Sequence, residues 1–179
     1  IILTFIIVVF LGLVVVFNYI HRNDDLKKVK KFYEKYSKSD SISIFYNTIF
    51  QPRSKSVICT FIDIEERYSH VVFFRDNLTK IYLYKNDLLD NENPININKL
   101  PDKIYKRIST FQSMDIIALE SWSKEYIKFY INLENLLIFI PDVENIMESN
   151  YKLESAEKFN ENWYYIKLNK PVDFWAATS

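Results

Sequence analysis

Residues 56–85 read SVICTFIDIEERYSHVVFFRDNLTKIYLYK, and they decide the fold. Three short apolar segments, SVICTFIDI, SHVVFFR and KIYLYK, are rich in Val, Ile, Phe and Tyr and are too short for packed helices, so each reads as a strand. The first is apolar on both faces, which places it centrally in a sheet. DNLT joins the other two as a turn without glycine, because Asp and Asn tolerate left-handed backbone. Just upstream, SISIFYNTIF (41–50) alternates Ile42, Ile44 and Tyr46 against Ser41 and Ser43 and predicts a further strand. Sequential strands usually lie side by side, so these four form an antiparallel meander.

Downstream, the polar loop NENPININKLPDK (91–103) leads into a helix with Pro101 at its first position and Asp102 behind it. Leu100, Ile104, Ile108 and Phe111 recur at helical spacing and form its apolar stripe. The chain then returns to strands in DIIALESW, EYIKFYIN, LLIFIP, YKLESAEKF and NWYYIKL, with PDVENIMESN as a loop or a helical turn. Upstream of the meander, NDDLKKVKKFYEKY (23–36) reads as an amphipathic helix capped by Asn23. Its apolar side is Leu26, Val29, Phe32 or Tyr33, and Tyr36; its lysines take the opposite face, read as a solvated surface against the alternative of contact with anionic lipid headgroups.

The chain opens with IILTFIIVVFLGLVVVFNYIHR (1–22), uncharged until His21 and Arg22. About 20 helical residues rise roughly 30 Å, the thickness of a bilayer's hydrocarbon core. The bulky FNYIHR exit lacks the small residues of a cleavage site, so the run is expected to be an uncleaved anchor. The expected class is therefore α+β, an N-terminal transmembrane helix followed by a mainly antiparallel-sheet domain with two amphipathic helices. Residues 1–20 form the transmembrane signal anchor, 21–38 the juxtamembrane helix and 39–170 the α+β domain. The tail at 171–179 has no strand pattern after Pro171 and reads as a clipped end.

Orientation is set by opposing signals. Arg22, Lys27, Lys28, Lys30, Lys31, Lys35 and Lys38 outnumber Asp24, Asp25 and Glu34, and that flank alone would hold the domain inside. An apolar run at the start of a chain is the usual opening of an export signal, and the domain is expected outside the cytoplasm. The sequence begins at Ile1, so residues before it would bear on this.

Composition narrows the chemistry. Gly12, in the opening run, is the one glycine of 179 residues. Phosphate loops, dinucleotide turns, EF-hand loops and nucleophile elbows all need glycine, and their usual forms are excluded from the domain. Lys+Arg and Asp+Glu both count 23, and the one basic cluster abuts the apolar run, so nucleic acid is not an expected partner. Cys59 is the single cysteine, which rules out an internal disulfide. The richness in Ile, Asn, Lys, Tyr and Phe matches AT-rich codons and suggests a low-GC bacterial source.

Cys59, Asp63 and His70 are the one constellation suited to nucleophilic catalysis, if a hairpin turning near Glu66–Tyr68 set them on one face. The plainer reading is a buried inert thiol and a surface Asp–His pair. Glu120, Glu125 and Glu134 are candidates for glycosidase-like paired carboxylates around a sugar-stacking strip of Trp122, Tyr126 and Tyr130, against the plainer reading of half-buried strand aromatics. With His21 and His70 as the only histidines, no metal is expected, and no cofactor. The expected function is that of a single-pass membrane-anchored, extracytoplasmic, non-enzymatic domain that binds a partner or ligand or serves a membrane complex. Its partners would be the lipid bilayer, through residues 1–20, and an unidentified protein or ligand. A membrane-anchored hydrolase and a truncated extracytoplasmic sensor are the alternatives.

Overall fold

The computed structural model describes residues 2–38, 40–75, 77–85, 88–89, 93–142 and 156–174. Side chains at 2–5, 8, 15, 17–23, 40–41, 66, 77–78, 84–85 and 88–89 lie outside the description. The elements in chain order are α1 (Ile2–Tyr36), β1 (Thr48–Pro52), β2 (Ser56–Phe61), β3 (His70–Phe74), β4 (Asn77–Lys85), β5 (Leu88–Leu89) and β6 (Ile95–Asn96). Then follow α2 (Asp102–Ser113), β7 (Ala118–Ser121), β8 (Ile127–Tyr130), β9 (Asn135–Phe139), β10 (Glu157–Lys158) and β11 (Trp163–Lys167).

The fold is α+β, and every strand pairing among the described residues is antiparallel. One sheet runs β10-β11-β9-β8-β7-β1-β2-β3-β4-β5, with β6 also on β4. The segment at 56–85 forms adjacent strands β2, β3 and β4, and β2 lies inside the sheet with one face fully buried and the other half-buried. At the centre β1 pairs with β7, Phe50 opposite Leu119. Each of these strands opens one half of the chain, so the topology is doubled: helix, then strands, twice.

Both helices cover the same face, and each rests mainly on a different half. From α2, Phe111 stacks on Phe50 of β1 at 4.2 Å and meets Phe73 of β3 edge-on. From α1, Phe32 meets Phe129 of β8 at 5.2 Å, and Tyr33 meets Trp163 of β11 at 5.9 Å. The first helix thus covers the second half of the sheet. On the outer face Tyr130, Leu136, Ile138 and Tyr164 form a second cluster, against which Val172 and Phe174 pack. The tail after Pro171 is therefore partly docked, and residues 175–179 lie outside the description. Residues 143–155 do too, including most of the predicted PDVENIMESN loop and the start of YKLESAEKF.

Two sequence-based boundaries shift. The backbone is helical from 2 to 36 without a break, so Asn23 is interior and does not cap a separate helix. No proline or glycine separates the two segments there, and extending a helix is far easier than starting one. The predicted strand at 41–47 is a 3₁₀ turn, Asp40–Phe45. Ile42 and Phe45, three apart, are the residues it buries, so the serine–isoleucine alternation belonged to a helical pattern. Among the described residues no helix is long and apolar enough to cross a membrane. Many side chains of residues 1–23 lie outside the described residues.

Asn47 then turns the chain into β1 with φ 59°, the one positive φ among the described non-glycine residues. Its carbonyl accepts Ile62 N–H at 2.9 Å, which ties the turn to the end of β2. Asparagine takes the place a glycine would otherwise fill. Asn47→Gly is expected to leave unfolding stability within a few tenths of a kcal/mol, whereas Asn47→Val should lose about 1–2 kcal/mol to backbone strain. Urea unfolding of both variants checks the difference.

The registers define two opposite edges. Pro52 pairs with Val57, Ala118 with Tyr130, and Asn135 with Lys167, so the turns at 53–55 and 131–134 share one edge with the residues after β11. There α1 first meets the sheet, where the Asp25 carboxylate accepts Asn132 Nδ2 at 3.0 Å and Asn135 Nδ2 at 3.3 Å. Buried Asn135 is completed by Tyr165 Oη, which donates to its Oδ1 at 2.6 Å. From this entry edge α1 descends to Tyr33, beside Trp163 at the far end of β11. Residues 2–24 therefore extend beyond the entry edge by about 35 Å of helix.

Candidate binding cleft at the far edge

The far edge holds an open cleft of about 440 Å³ lined in part by Asp63, Lys103, Lys106, Arg107 and Lys124. Asp63 follows β2, and the cations come from α2 and the β7–β8 turn. On α2, spacings of three and four put Lys103, Lys106 and Arg107 on neighbouring turns of one side. Lys124 is held by a tight turn in which the Ser121 hydroxyl lies 2.8 Å from both Ser123 O and Tyr126 O.

Arg107 anchors the site. Its Nη1 and Nη2 donate to the two oxygens of Asp63 at 2.7 and 2.8 Å, a bidentate fork, and its guanidinium lies over the Phe61 ring. Lys103 Nζ donates to Asp63 Oδ2 at 2.6 Å from the solvent side. Burial pushes the Asp63 carboxyl up, but the hydrogen bonds and charges of Arg107 and Lys103 outweigh it and hold the group at about 2. Arg107 is 3% exposed, and its Nε is buried without a hydrogen-bond partner among the described residues. Among the lining residues four cations face one carboxylate, an excess of three positive charges. Glu65, Asp102 and Glu125 stand on the flanking segments. Tyr46 also lines the cleft, and burial raises its phenol, so it stays neutral.

Around this end stand Ile62, Tyr105 and Trp122, exposed by 47%, 42% and 56%. Outside the opening run, the one other large apolar residue exposed to that degree among those described is Leu133, at the entry edge. Cations interleaved with exposed aromatics suit an anionic partner that also covers apolar surface.

The residues singled out from the sequence are distributed otherwise. Cys59 is fully buried on the helix-covered face, opposite Val71 and Phe50, and burial raises its thiol well above the ordinary range. His70 is the register partner of Thr60, one residue along, so it lies on the other face, with Nδ1 3.3 Å from Thr60 Oγ1. Asp63 is committed to Arg107 and Lys103. The structure does not bring the three together. Among the described residues no group of three His, Cys, Asp or Glu is placed to hold a metal ion.

Glu120 lies on the outer face, where its carboxylate accepts from Trp122 Nε1 at 2.8 Å and Tyr130 Oη at 3.0 Å, with Lys128 at 3.4 Å. Glu125 and Glu134 lie in turns at opposite ends of β8, so these carboxylates do not converge either. Compared with family models, with curated proteins and with solved structures, the chain matches none.

Proposed function

We propose that this chain is a non-enzymatic binding domain, held at the outer surface of a membrane by the apolar opening of α1, that receives an anionic partner in the far-edge cleft. The observation that carries this reading is the two-part use of α1. Val29, Phe32 and Tyr36 are buried in the domain core, whereas Ile6, Ile7, Val9, Phe10, Leu11, Leu13, Val14 and Val16 of the same helix are 41–66% exposed. So much apolar surface on one continuous helix is strongly unfavourable in water and favourable in lipid. The anchor rests on this exposure and on the sequence of residues 1–20, not on a span located in the structure.

Two measurements test the reading. Alkaline carbonate washing of membranes is expected to leave the chain in the pellet, and protease added to intact cells to remove the domain. Release by carbonate contradicts the anchor; a domain untouched by protease while an outward control is digested contradicts the orientation. For the cleft, a fluorescent poly-glutamate peptide serves as the anionic probe. Lys106→Glu with Lys124→Glu is expected to weaken its binding about tenfold, since each exposed charge contributes a fraction of a kcal/mol up to about 1. Unchanged affinity would remove the cleft from the proposal.

A further inference from the structure

We infer that the entry edge of the sheet is a membrane-apposed surface that rests on anionic phospholipid headgroups of the bilayer holding α1. This rests on the anchor reading above and adds a second contact to it. The geometry follows from where α1 meets the sheet. Asp25 is fixed to Asn132 and Asn135 at that edge, and the helix before it leads away from the domain, so the edge faces whatever holds residues 1–20.

What stands on that edge fits a headgroup layer. Arg53 and Lys55 occupy the exposed β1–β2 turn, and Arg75, Lys167 and Lys170 are exposed nearby. Arg75 lies along the edge, where its Nη2 donates to Ile117 O at 2.9 Å. Among the described residues the carboxylates sharing the edge are Asp115, Glu134 and Asp173, with Asp24 and Asp25 where α1 meets it, so with Lys27 and Lys28 counted the cations lead seven to five. A groove of about 460 Å³ runs along it, lined by Arg53, Lys55, Arg75, Leu133 and Phe174 among others. Leu133, 46% exposed at the tip of the β8–β9 turn, gives the edge an apolar point that can enter the interfacial layer. Lys27 and Lys28, exposed on α1 two and three residues past Asp25, extend the charged surface up to the helix, with Lys27 Nζ 3.5 Å from Asp24 Oδ1. The cleft at the opposite edge would then face away from the membrane.

The test uses the full chain reconstituted in vesicles of phosphatidylcholine alone, or of equal parts phosphatidylcholine and phosphatidylglycerol, with quencher-labelled headgroups. Because Cys59 is buried, a fluorophore can be placed selectively through Ser54→Cys at the entry edge or Lys124→Cys at the far edge. The label at 54 is expected to be quenched in the anionic vesicles, less so in neutral ones or in high salt, and the label at 124 in neither. In the Ser54→Cys background, Arg53→Gln with Lys55→Gln should lower the docked-to-undocked ratio about 30-fold, at roughly fivefold per cation near an anionic surface. Co-flotation of the chain with the vesicles is read in the same samples. Flotation with equal, salt-insensitive signals at 54 and 124 overturns the docking and leaves the anchor standing. Failure to float overturns the anchor, and the docking with it.

Discussion

Trp163→Ala is expected to destabilise the domain by about 3–5 kcal/mol, the range for removing a large aromatic from a closed core. Trp163 is 1% exposed and joins three elements: its ring lies 5.9 Å from Tyr33 of α1, 5.6 Å from Phe129 of β8 and 5.2 Å from Phe139 of β9. The cavity would open beneath α1, the element least able to collapse into it, because Asp25 at one end is fixed by Asn132 and Asn135. Trp163→Phe keeps part of the stack and should lose less than half as much. Denaturant unfolding of the full chain in detergent, followed by tyrosine and tryptophan emission, gives both values. A loss under about 1 kcal/mol for the alanine variant would mean that α1 is not held by this contact.

Asp63→Ala is the second large effect, at about 3 kcal/mol, because it leaves the buried Arg107 guanidinium without its counter-charge. Arg107→Met should be milder. It removes the buried charge itself, keeps much of the packing against Phe61, and leaves Asp63 with Lys103 and water. The same pair predicts an acid dependence. The Asp63 carboxyl sits at about 2 in the folded chain against an ordinary 3.8. Because the folded value is the lower one, its contribution is complete above about pH 4 and is lost as pH falls through about 2. That contribution is on the order of 2 kcal/mol at most, since a tenfold change in proton affinity is worth about 1.4 kcal/mol and solvent screens the Lys103 side. Asp63→Asn should flatten this part of the stability–pH curve. An unchanged acid limb would show that other carboxylates set it.

The strands at 56–85 were legible because their apolar runs are short and bounded by turn residues, information carried by neighbours in sequence. The stripe of α2 was legible for the same reason: Leu100, Ile104, Ile108 and Phe111 are all at most 5% exposed. Arg107 escaped notice because a charged helix residue is usually solvated. Yet it lies three residues after Ile104 and four before Phe111, on the stripe itself, and an arginine there needs a carboxylate partner. The β1–β7 junction had no local signal, since those strands are joined by register across the fold rather than by a turn. The Cys59–His70 grouping failed on parity, because a one-residue step along a strand moves a side chain to the other face.

The crossed placement of the helices bears on how the chain is made. Tyr33 receives a hydrogen bond from Asn160, 127 residues later, and Asp25 receives its two from residues 107 and 110 positions on. During synthesis the first helix emerges long before the strands that cover its lower half, so Val29, Phe32 and Tyr33 wait uncovered while the first meander and α2 assemble. Contacts this distant in sequence slow folding, because loop-closure entropy is lost before they form. The first half would be complete as a sheet yet still lack β7 at its central edge. Completion falls to β11, the last of the described strands, and a chain ending before Trp163 would leave its first helix without the surface it was shaped to meet.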